Sequence, residues 1–355
     1  MSVCNRLCAK WSGSRTSLYL LLGFLHILNS SISSANEMPL EGFPASGIVV
    51  RDEKNIQIER EDLYISRSEI QVSYIFRNTS DTDIVTEIAF PIPAHDYDPT
   101  GRITYPLHGD FQVEVGGKKT KHKEMSRALI GKKDVTATLK RLNISFKDFD
   151  NEQRRGKVFG RYFNELSKSK QQELIRLGVV KLDNQESGDE PWYVPAWSVE
   201  TIYHWRQSFP AQKTVSIKHT YTPNTSHTVN GDEDKNFISR RKVVSDARNI
   251  ALAELLCLND ELKKWEKRRR WMLDVHIVDY ILTTANHWKK PIKKFHLVIE
   301  ADNTPANNER VSTCFENNRL KKINNWRYEM TIDDFIPKDE ISVFFLSYPV
   351  QASKD

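Results

Sequence analysis

Alternating apolar and polar positions mark the first third of the chain as a series of β-strands. Over residues 70–76 every second side chain is apolar, which places one side of a strand against a core. A polar turn follows, and we expect the returning strand to stop at residues 91–93, where two prolines lack the amide hydrogen that ladder pairing needs. The pattern predicts N-terminal strands over residues 36–117.

The middle of the chain, residues 118–190, is charged and helix-prone. The spacing of Ser169 and Gln172 is that of a capping box, and Gly178 stands where the residue after a helix end is expected. We predict a helical insertion over about residues 120–185. The simplest interpretation of its excess of Lys and Arg is that these side chains lie on a solvent-exposed face and do not form a binding patch.

Strand patterns return over residues 191–355, for example at 201–205 and 215–221. A second helical segment is predicted over about residues 243–272, with Asn259 as a cap inside it. Together these patterns predict a mainly β fold, in which one or two β-sandwich-like sheets carry two helical segments.

The first 35 residues have the order of a secretory signal peptide. Three basic residues and no acid accompany an apolar run over residues 18–28, and small polar residues follow. A run of eleven residues is shorter than the roughly 20 that a bilayer span needs, so a membrane anchor is the less favoured alternative. We predict cleavage after Ala35, a mature chain of residues 36–355 without a transmembrane segment, and a periplasmic or extracellular location.

The mature chain is nearly balanced in charge. The sequence has 52 Lys and Arg against 47 Asp and Glu; removal of three basic residues with the signal peptide leaves 49 against 47, a net charge of +2. This balance gives no reason to expect a nucleic acid partner. The sequence also lacks the short motifs of serine hydrolases, zinc proteases and nucleotide-binding loops, so no cofactor is predicted.

Two cysteines, Cys257 and Cys314, remain after processing. In an oxidising compartment such a pair is more often a disulfide than two free thiols. The alternative is two unrelated core residues, since free cysteine is commonly buried.

Four residues on two predicted strands are candidate binding residues: His204, Trp205, His219 and Tyr221. If these strands pair, the two histidines could face each other with Glu200 nearby, and two imidazoles with a carboxylate can bind zinc or move protons. Lone strand histidines are more often structural and no third ligand is fixed, so no metal site is predicted. For Trp205 the pattern favours a core position, because large rings build β-sheet cores.

Trp265, Arg268 and Trp271 form a basic and aromatic segment in the second helical region. Such a segment could lie on an anionic membrane surface. A solvated helix end, whose positive charges oppose the helix dipole, is the simpler alternative.

Several sequence segments occur together in the order of a known family. They are EDLYIS at 61–66, YIFRNTSD at 74–81, FPIP at 90–93, YHWRQSFP at 203–210, HTYTP at 219–223, YILTTANHW at 280–288, PI at 291–292 and Cys314. In these segments the chain resembles an uncharacterised family of secreted bacterial proteins, domain of unknown function 4424. The resemblance implies an envelope or extracellular location and no established activity, and it supports a disulfide between Cys257 and Cys314 by analogy.

A weaker likeness concerns residues 76–93 and 111–118. With the helix-prone stretch that follows, they resemble the opening of the domain shared by vault proteins and inter-alpha-trypsin inhibitors, a β-sandwich used in protein assemblies. The adhesion domain that usually accompanies it is not present in the sequence. The likeness therefore implies only a β-sandwich.

Three functions remain open at this point. The leading hypothesis is a secreted, non-catalytic β-rich module that binds an unknown protein or envelope component. One alternative is a secreted hydrolase or metal-dependent enzyme with an unfamiliar site, whose titratable groups would converge in one pocket. The other is a peripheral membrane protein that acts through the segment around Trp265.

Overall fold

Strands dominate the computed structural model of the chain, with 52% of the described residues in strands and 16% in helices. The predicted mainly β fold is confirmed, whereas its finer form, one or two β-sandwiches, stays a prediction. The structure describes residues 38–42, 49–50, 52–96, 103–104, 110–146, 159–182, 193–229, 251–267, 273–302, 309–316 and 318–348. The predicted signal peptide, residues 1–35, lies outside these ranges.

The secondary structure elements are numbered in chain order. The strands are β1 (Met38–Gly42), β2 (Val49–Val50), β3 (Ile56–Ile65), β4 (Ile70–Asn78), β5 (Ile84–Asp96), β6 (Ile103–Thr104), β7 (Gln112–Val115), β8 (Lys118–Lys119), β9 (Lys123–Ile130), β10 (Lys133–Asp134), β11 (Val180–Leu182), β12 (Tyr193–Pro195), β13 (Ser198–Phe209), β14 (Thr214–Tyr221), β15 (Thr225–Val229), β16 (Asp274–Tyr280), β17 (Ile292–Glu300), β18 (Arg310–Thr313), β19 (Lys321–Lys322), β20 (Arg327–Phe335) and β21 (Ile341–Ser347). The helices are α1 (Thr136–Arg141), α2 (Phe159–Glu165), α3 (Lys168–Arg176), α4 (Leu252–Leu255), α5 (Asp260–Lys267) and a 3-10 helix at Thr283–His287.

These strands form four sheets. The eight-stranded sheet has the order β19-β20-β17-β3-β4-β14-β7-β8, the six-stranded sheet β10-β9-β13-β5-β1-β2, and the five-stranded sheet β18-β21-β16-β15-β6; β11 pairs with β12. Among the described strands, neighbours are antiparallel except β3 and β17, which run parallel with Leu297 opposite Leu63. The eight-stranded sheet thus combines strands from the beginning, middle and end of the chain.

One large hydrophobic core joins three of the sheets. Inward residues on one face of the eight-stranded sheet contact β5 and β13 of the six-stranded sheet, and also β16 and β21 of the five-stranded sheet. At its centre Phe76 lies 5.0 Å from Trp288 between ring centroids, and both side chains are fully buried. Full burial of such a side chain stabilises the fold by about 1.5–3 kcal/mol, so this shared core holds the three sheets together.

The alternation predicted over residues 70–76 is confirmed: in β4 the buried positions include Ile70 and Phe76, and Ile75 is exposed. The predicted strand end at residues 91–93 is wrong, because β5 continues to Asp96. Among the described residues, β1 pairs with residues 87–89 of β5, and none of them lies opposite the prolines, which have no amide hydrogen to donate.

The predicted insertion over about residues 120–185 contains α1, α2 and α3, but its first part is strand. Strand β9 pairs along β13 from Lys123 to Leu129, and this pairing outweighs the local helix propensity. The cap of α3 is Ser167, whose Oγ accepts a hydrogen bond from the amide of Lys170, rather than Ser169. Gly178 follows the helix with φ of 67°, as its predicted place after the helix end requires.

The second helical segment is helical at α4 and α5, and residues 243–250 and 268–272 lie outside the described ranges. The Oδ1 of Asn259 accepts a hydrogen bond from the amide of Leu262, which confirms its capping role. Leucines of this segment cover the second face of the five-stranded sheet, where Leu256 belongs to the same buried cluster as Ile277 and Phe344.

The disulfide between Cys257 and Cys314 is confirmed, with 5.2 Å between the two Cα atoms. It ties the turn after α4 to the end of β18. Because Cys314 also lines a cavity described below, the bond fixes one wall of that cavity.

We expect the variant Cys257→Ser/Cys314→Ser to lose about 4 kcal/mol of unfolding free energy, because the bond closes a loop of 57 residues. Urea unfolding of the oxidised wild type, the reduced wild type and the variant measures this difference. The two samples without the bond should agree; equal midpoints for the oxidised wild type and the variant would contradict the expectation.

A buried ion pair gives a second prediction. Arg67 Nη1 lies 2.7 Å from Oε1 of Glu309, whose side chain has no solvent exposure. Arg67→Met leaves this carboxylate buried without its cation, and we expect a loss of about 3 kcal/mol of unfolding free energy. Arg60→Met is the control, since it removes an exposed pair with Asp62 and should cost less than about 1 kcal/mol. Equal losses in thermal unfolding would refute the assignment.

Candidate functional site

A cavity of about 600 Å³ opens beside the disulfide. Its floor is apolar and is formed by Phe315, Ile332 and Phe335, each 7% exposed. Its rim is charged and carries five acids and two bases. These residues are Glu316, Asp333, Asp334, Asp339, Glu340, Arg319 and Lys338.

Sheet packing holds the floor of the cavity in place. Phe335 is the last residue of β20, and its ring stacks on Phe295 of β17 at a centroid distance of 4.9 Å. Phe315 follows β18 and meets Phe335 edge-on at 6.2 Å. Because both rings are fixed by neighbours, the floor exists before any ligand arrives.

The rim keeps an excess of negative charge. Asp334 pairs with Lys293 at 2.8 Å and Glu316 with Arg319 at 3.3 Å. Within the described ranges, Asp333 and Asp339 form no ion pair, and both are exposed. With Lys293 counted beside the two bases of the lining, five acids against three bases leave a net charge of −2, which favours a cationic ligand.

Glu340 has a structural role at this rim. Its carboxylate accepts hydrogen bonds from the amides of Leu282 and Thr283, at 2.5 and 3.1 Å, and from the Thr283 hydroxyl at 2.5 Å. Burial of the carboxylate raises the pKa of Glu340, the hydrogen bonds oppose this, and the neighbouring charge of Asp339 adds to the increase. Glu340 thus ties the 3-10 helix to the cavity rim.

His204 and His219 lie on strands of different sheets. His204 lies on β13 in the six-stranded sheet and His219 on β14 in the eight-stranded sheet, so the pairing on which the two-histidine arrangement depended is absent between these strands. His204 Nδ1 lies 2.7 Å from a carboxylate oxygen of Glu87. Glu200 forms a short ion pair with Arg127 instead of orienting a histidine.

His219 is fully buried in the main core. Its ring lies 4.9 Å from Phe90, 5.4 Å from Phe111 and 5.3 Å from Trp205. Burial lowers the pKa of His219 to about 3, so the imidazole is neutral at physiological pH. The core position favoured for Trp205 is confirmed at 4% exposure, and Tyr221 is equally buried; a binding role for these residues stays a prediction.

In the basic and aromatic segment, Trp265 packs on Tyr348, with 4.7 Å between ring centroids. The Tyr348 hydroxyl donates to the carbonyl of Glu266 and fixes this contact. Arg268 and Trp271 lie outside the described residues. A membrane role for this segment stays a prediction.

One group of three potential metal ligands occurs among the described residues: His227, Asp274 and His276. Sequence reasoning missed it. The available signal was the i, i+2 spacing of Asp274 and His276 on a predicted strand, which puts both side chains on one face. The third member lies on another strand, 47 residues earlier than Asp274.

None of the described helices is long and apolar enough to cross a membrane.

Comparisons with known proteins give one family match. The model of the family described as Domain of unknown function (DUF4424) matches residues 40–344. No curated protein matches the sequence. The comparisons do not bear on the weaker likeness to vault proteins and inter-alpha-trypsin inhibitors, which stays a prediction.

Among solved structures, the chain is similar to one from Legionella pneumophila described as a candidate nutrient binding protein. The two share 14% identity at a TM-score of 0.40, over 88% of this chain and 70% of that chain. At this identity and TM-score, the likeness carries no argument about function.

The buried imidazole of His219 predicts a pH dependence. Its folded-state pKa of about 3 lies below the unfolded value near 6.5, so between these values the unfolded chain binds the extra proton. Stability should therefore fall with decreasing pH, by about 1.4 kcal/mol per pH unit from this group. Replacing His219 by Phe should reduce the slope of the unfolding free energy against pH, measured between pH 6 and 4, by about 1.4 kcal/mol per pH unit.

Phe111→Leu is the matched control, because it perturbs the same ring cluster without removing a titratable group. It should lower stability and keep the wild-type slope. An unchanged slope in His219→Phe would show that this imidazole is not buried in its neutral form.

Proposed function

We propose a binding role for this chain, which belongs to the family of domain of unknown function 4424. The role is non-catalytic: an exported β-rich module accepts a positively charged group of a protein or envelope component in the cavity beside the disulfide. The observation that carries this proposal is the combination of an apolar floor and a negatively charged rim in one cavity.

The dimensions of the cavity support this role. Its volume of about 600 Å³ falls within the range typical of small-molecule sites, roughly 300–1,000 Å³. A ligand with an apolar body and a cationic end, such as an arginine or lysine side chain, would place the body on Phe315 and Phe335. The cationic end would then reach the carboxylates of Asp333 and Asp339.

The rigidity of the walls also favours binding. The floor rings are held by sheet residues and one wall by the disulfide, so little ordering is left for the ligand to impose. Two groups of the lining already have structural partners: the sulfur of Cys314 is bonded in the disulfide, and the Glu340 carboxylate accepts three hydrogen bonds.

Export is part of the proposal. Disulfides form and persist mainly in oxidising compartments, and the one between Cys257 and Cys314 is compatible with such a location. The predicted signal peptide at residues 1–35 supports the same location, periplasmic or extracellular.

The alternatives have less support from the described residues. The arrangement of His204 and His219 with Glu200 would need β13 and β14 to pair, but these strands lie in different sheets and Glu200 pairs with Arg127. The membrane hypothesis needs free aromatic surface near Trp265, and this ring packs on Tyr348.

Binding of Nα-acetylarginine methyl ester tests the cavity, with Nα-acetylcitrulline methyl ester as a neutral probe of similar shape, because acetylation removes the charge of the α-amino group from both. We expect the cationic ester to perturb NMR signals of cavity residues and the neutral one to bind more weakly. Asp333→Asn/Asp339→Asn should weaken the cationic ester about tenfold, because two exposed charge contacts contribute about 1–2 kcal/mol.

Asp81→Asn is the charge control, since this exposed acid lies in the turn between β4 and β5 and is absent from the cavity lining. It should bind the cationic ester like the wild type. Equal binding of the two esters, or no change in the double variant, would reject the cavity as a cation site.

A further inference from the structure

Two paired strands bring three potential metal ligands to one face of the five-stranded sheet. In the antiparallel pair of β15 and β16, His227 stands directly opposite His276. Asp274 precedes His276 by two residues, so both point to the same side of β16, and it lies diagonally across from His227. The register alone therefore gathers two imidazoles and one carboxylate.

The ligand atoms converge at short range. Asp274 Oδ1 is in short contact with Nε2 of His227 and lies 3.7 Å from Nε2 of His276. The two imidazole rings are 4.5 Å apart, with an angle of 21° between their planes. One ligand atom from each side chain lies within 4.8 Å of the others. Around a tetrahedral ion with bonds of about 2.0–2.2 Å, ligand atoms lie about 3.3–3.6 Å apart, and the 3.7 Å between Asp274 Oδ1 and His276 Nε2 is close to that spacing.

The site lies at the border of the main core. Strand β21 is the second neighbour of β16, and its residue Phe345 pairs with His276, lies on the same face of the sheet and is fully buried. The three ligand side chains are 20–33% exposed, so an ion could enter from solvent while one side stays apolar. An apolar neighbour lowers the local dielectric and strengthens the attraction between a cation and the carboxylate.

We propose that His227, Asp274 and His276 bind one divalent first-row transition metal ion, for which zinc is the probe. Two imidazole nitrogens and one carboxylate oxygen suit Zn²⁺, Co²⁺, Ni²⁺ and Cu²⁺, whereas Ca²⁺ and Mg²⁺ prefer oxygen ligands alone. Three protein ligands leave a position for water or for a group of a partner. This proposal is independent of the cavity, whose lining shares none of these residues.

The competing explanation is a structural ion pair in which Asp274 bonds the two histidines without a metal. The two explanations differ in stoichiometry and in spectrum. A metal site takes up one ion per chain, and bound Co²⁺ acquires visible bands that depend on all three ligands. A structural ion pair gives neither signal.

The experiment uses the mature chain after EDTA treatment and dialysis. Co²⁺ titration followed by visible absorption, and Zn²⁺ titration in competition with a chromophoric chelator, should each show one equivalent bound. We expect His276→Ala and Asp274→Asn to weaken zinc binding about 100-fold. The Asp333→Asn/Asp339→Asn variant should bind zinc like the wild type, which separates this site from the cavity.

His296→Ala is the matched control, because His296 also forms a half-buried pair with a carboxylate, Asp62, at 3.2 Å on another sheet. It should keep full zinc binding. Circular dichroism checks folding, and His227→Gln decides the outcome if an alanine variant unfolds. Absence of saturable binding in the wild type, or equal binding in the folded ligand variants, would overturn the proposal.

Discussion

The parallel pairing of β3 with β17 is the contact on which the rest of the structure depends. It joins residues 56–65 to residues 292–300 in one sheet, and a parallel pair cannot be closed by a tight hairpin. Much of the six- and five-stranded sheets comes from the chain between these strands, and both cover the same face of the eight-stranded sheet. A single core therefore stabilises all three sheets, and loss of this pairing would separate the first strands from the last.

Both proposed sites derive their rigidity from this arrangement. The cavity floor is fixed because Phe335 stacks on Phe295, a residue of β17 that stands opposite Glu61 of β3. The histidine and aspartate cluster lies on strands β15 and β16, and β21, the other neighbour of β16, contributes to the same core. In each case the side chains of the proposed site lie at the border of a packed sheet, where a core fixes their backbone and solvent still reaches them.

Local sequence patterns predicted where strands and helix caps lie better than they predicted which strands pair with each other. The period of two in β4, the capping by Asn259 and Gly178 at a helix end are decided by residues close in sequence, and all three were predictable. The strand character of β9 was missed because it depends on pairing with β13, which a charged local sequence does not reveal. The cavity and the ligand group were missed for the same reason: their residues meet only through sheet register and a disulfide.

The proposed function is binding of a cationic partner group at the cavity. The most direct test is photo-crosslinking in cells of the source organism. A photo-crosslinking amino acid replaces Ile336, an exposed residue of the cavity lining. Ile175 on α3 is similarly exposed, at 42% against 47%, and serves as the reference position. A crosslinked product specific to position 336 that disappears when Asp333 and Asp339 are neutralised is the predicted result. Identical products at both positions, or a product at 336 that survives neutralisation, would contradict it.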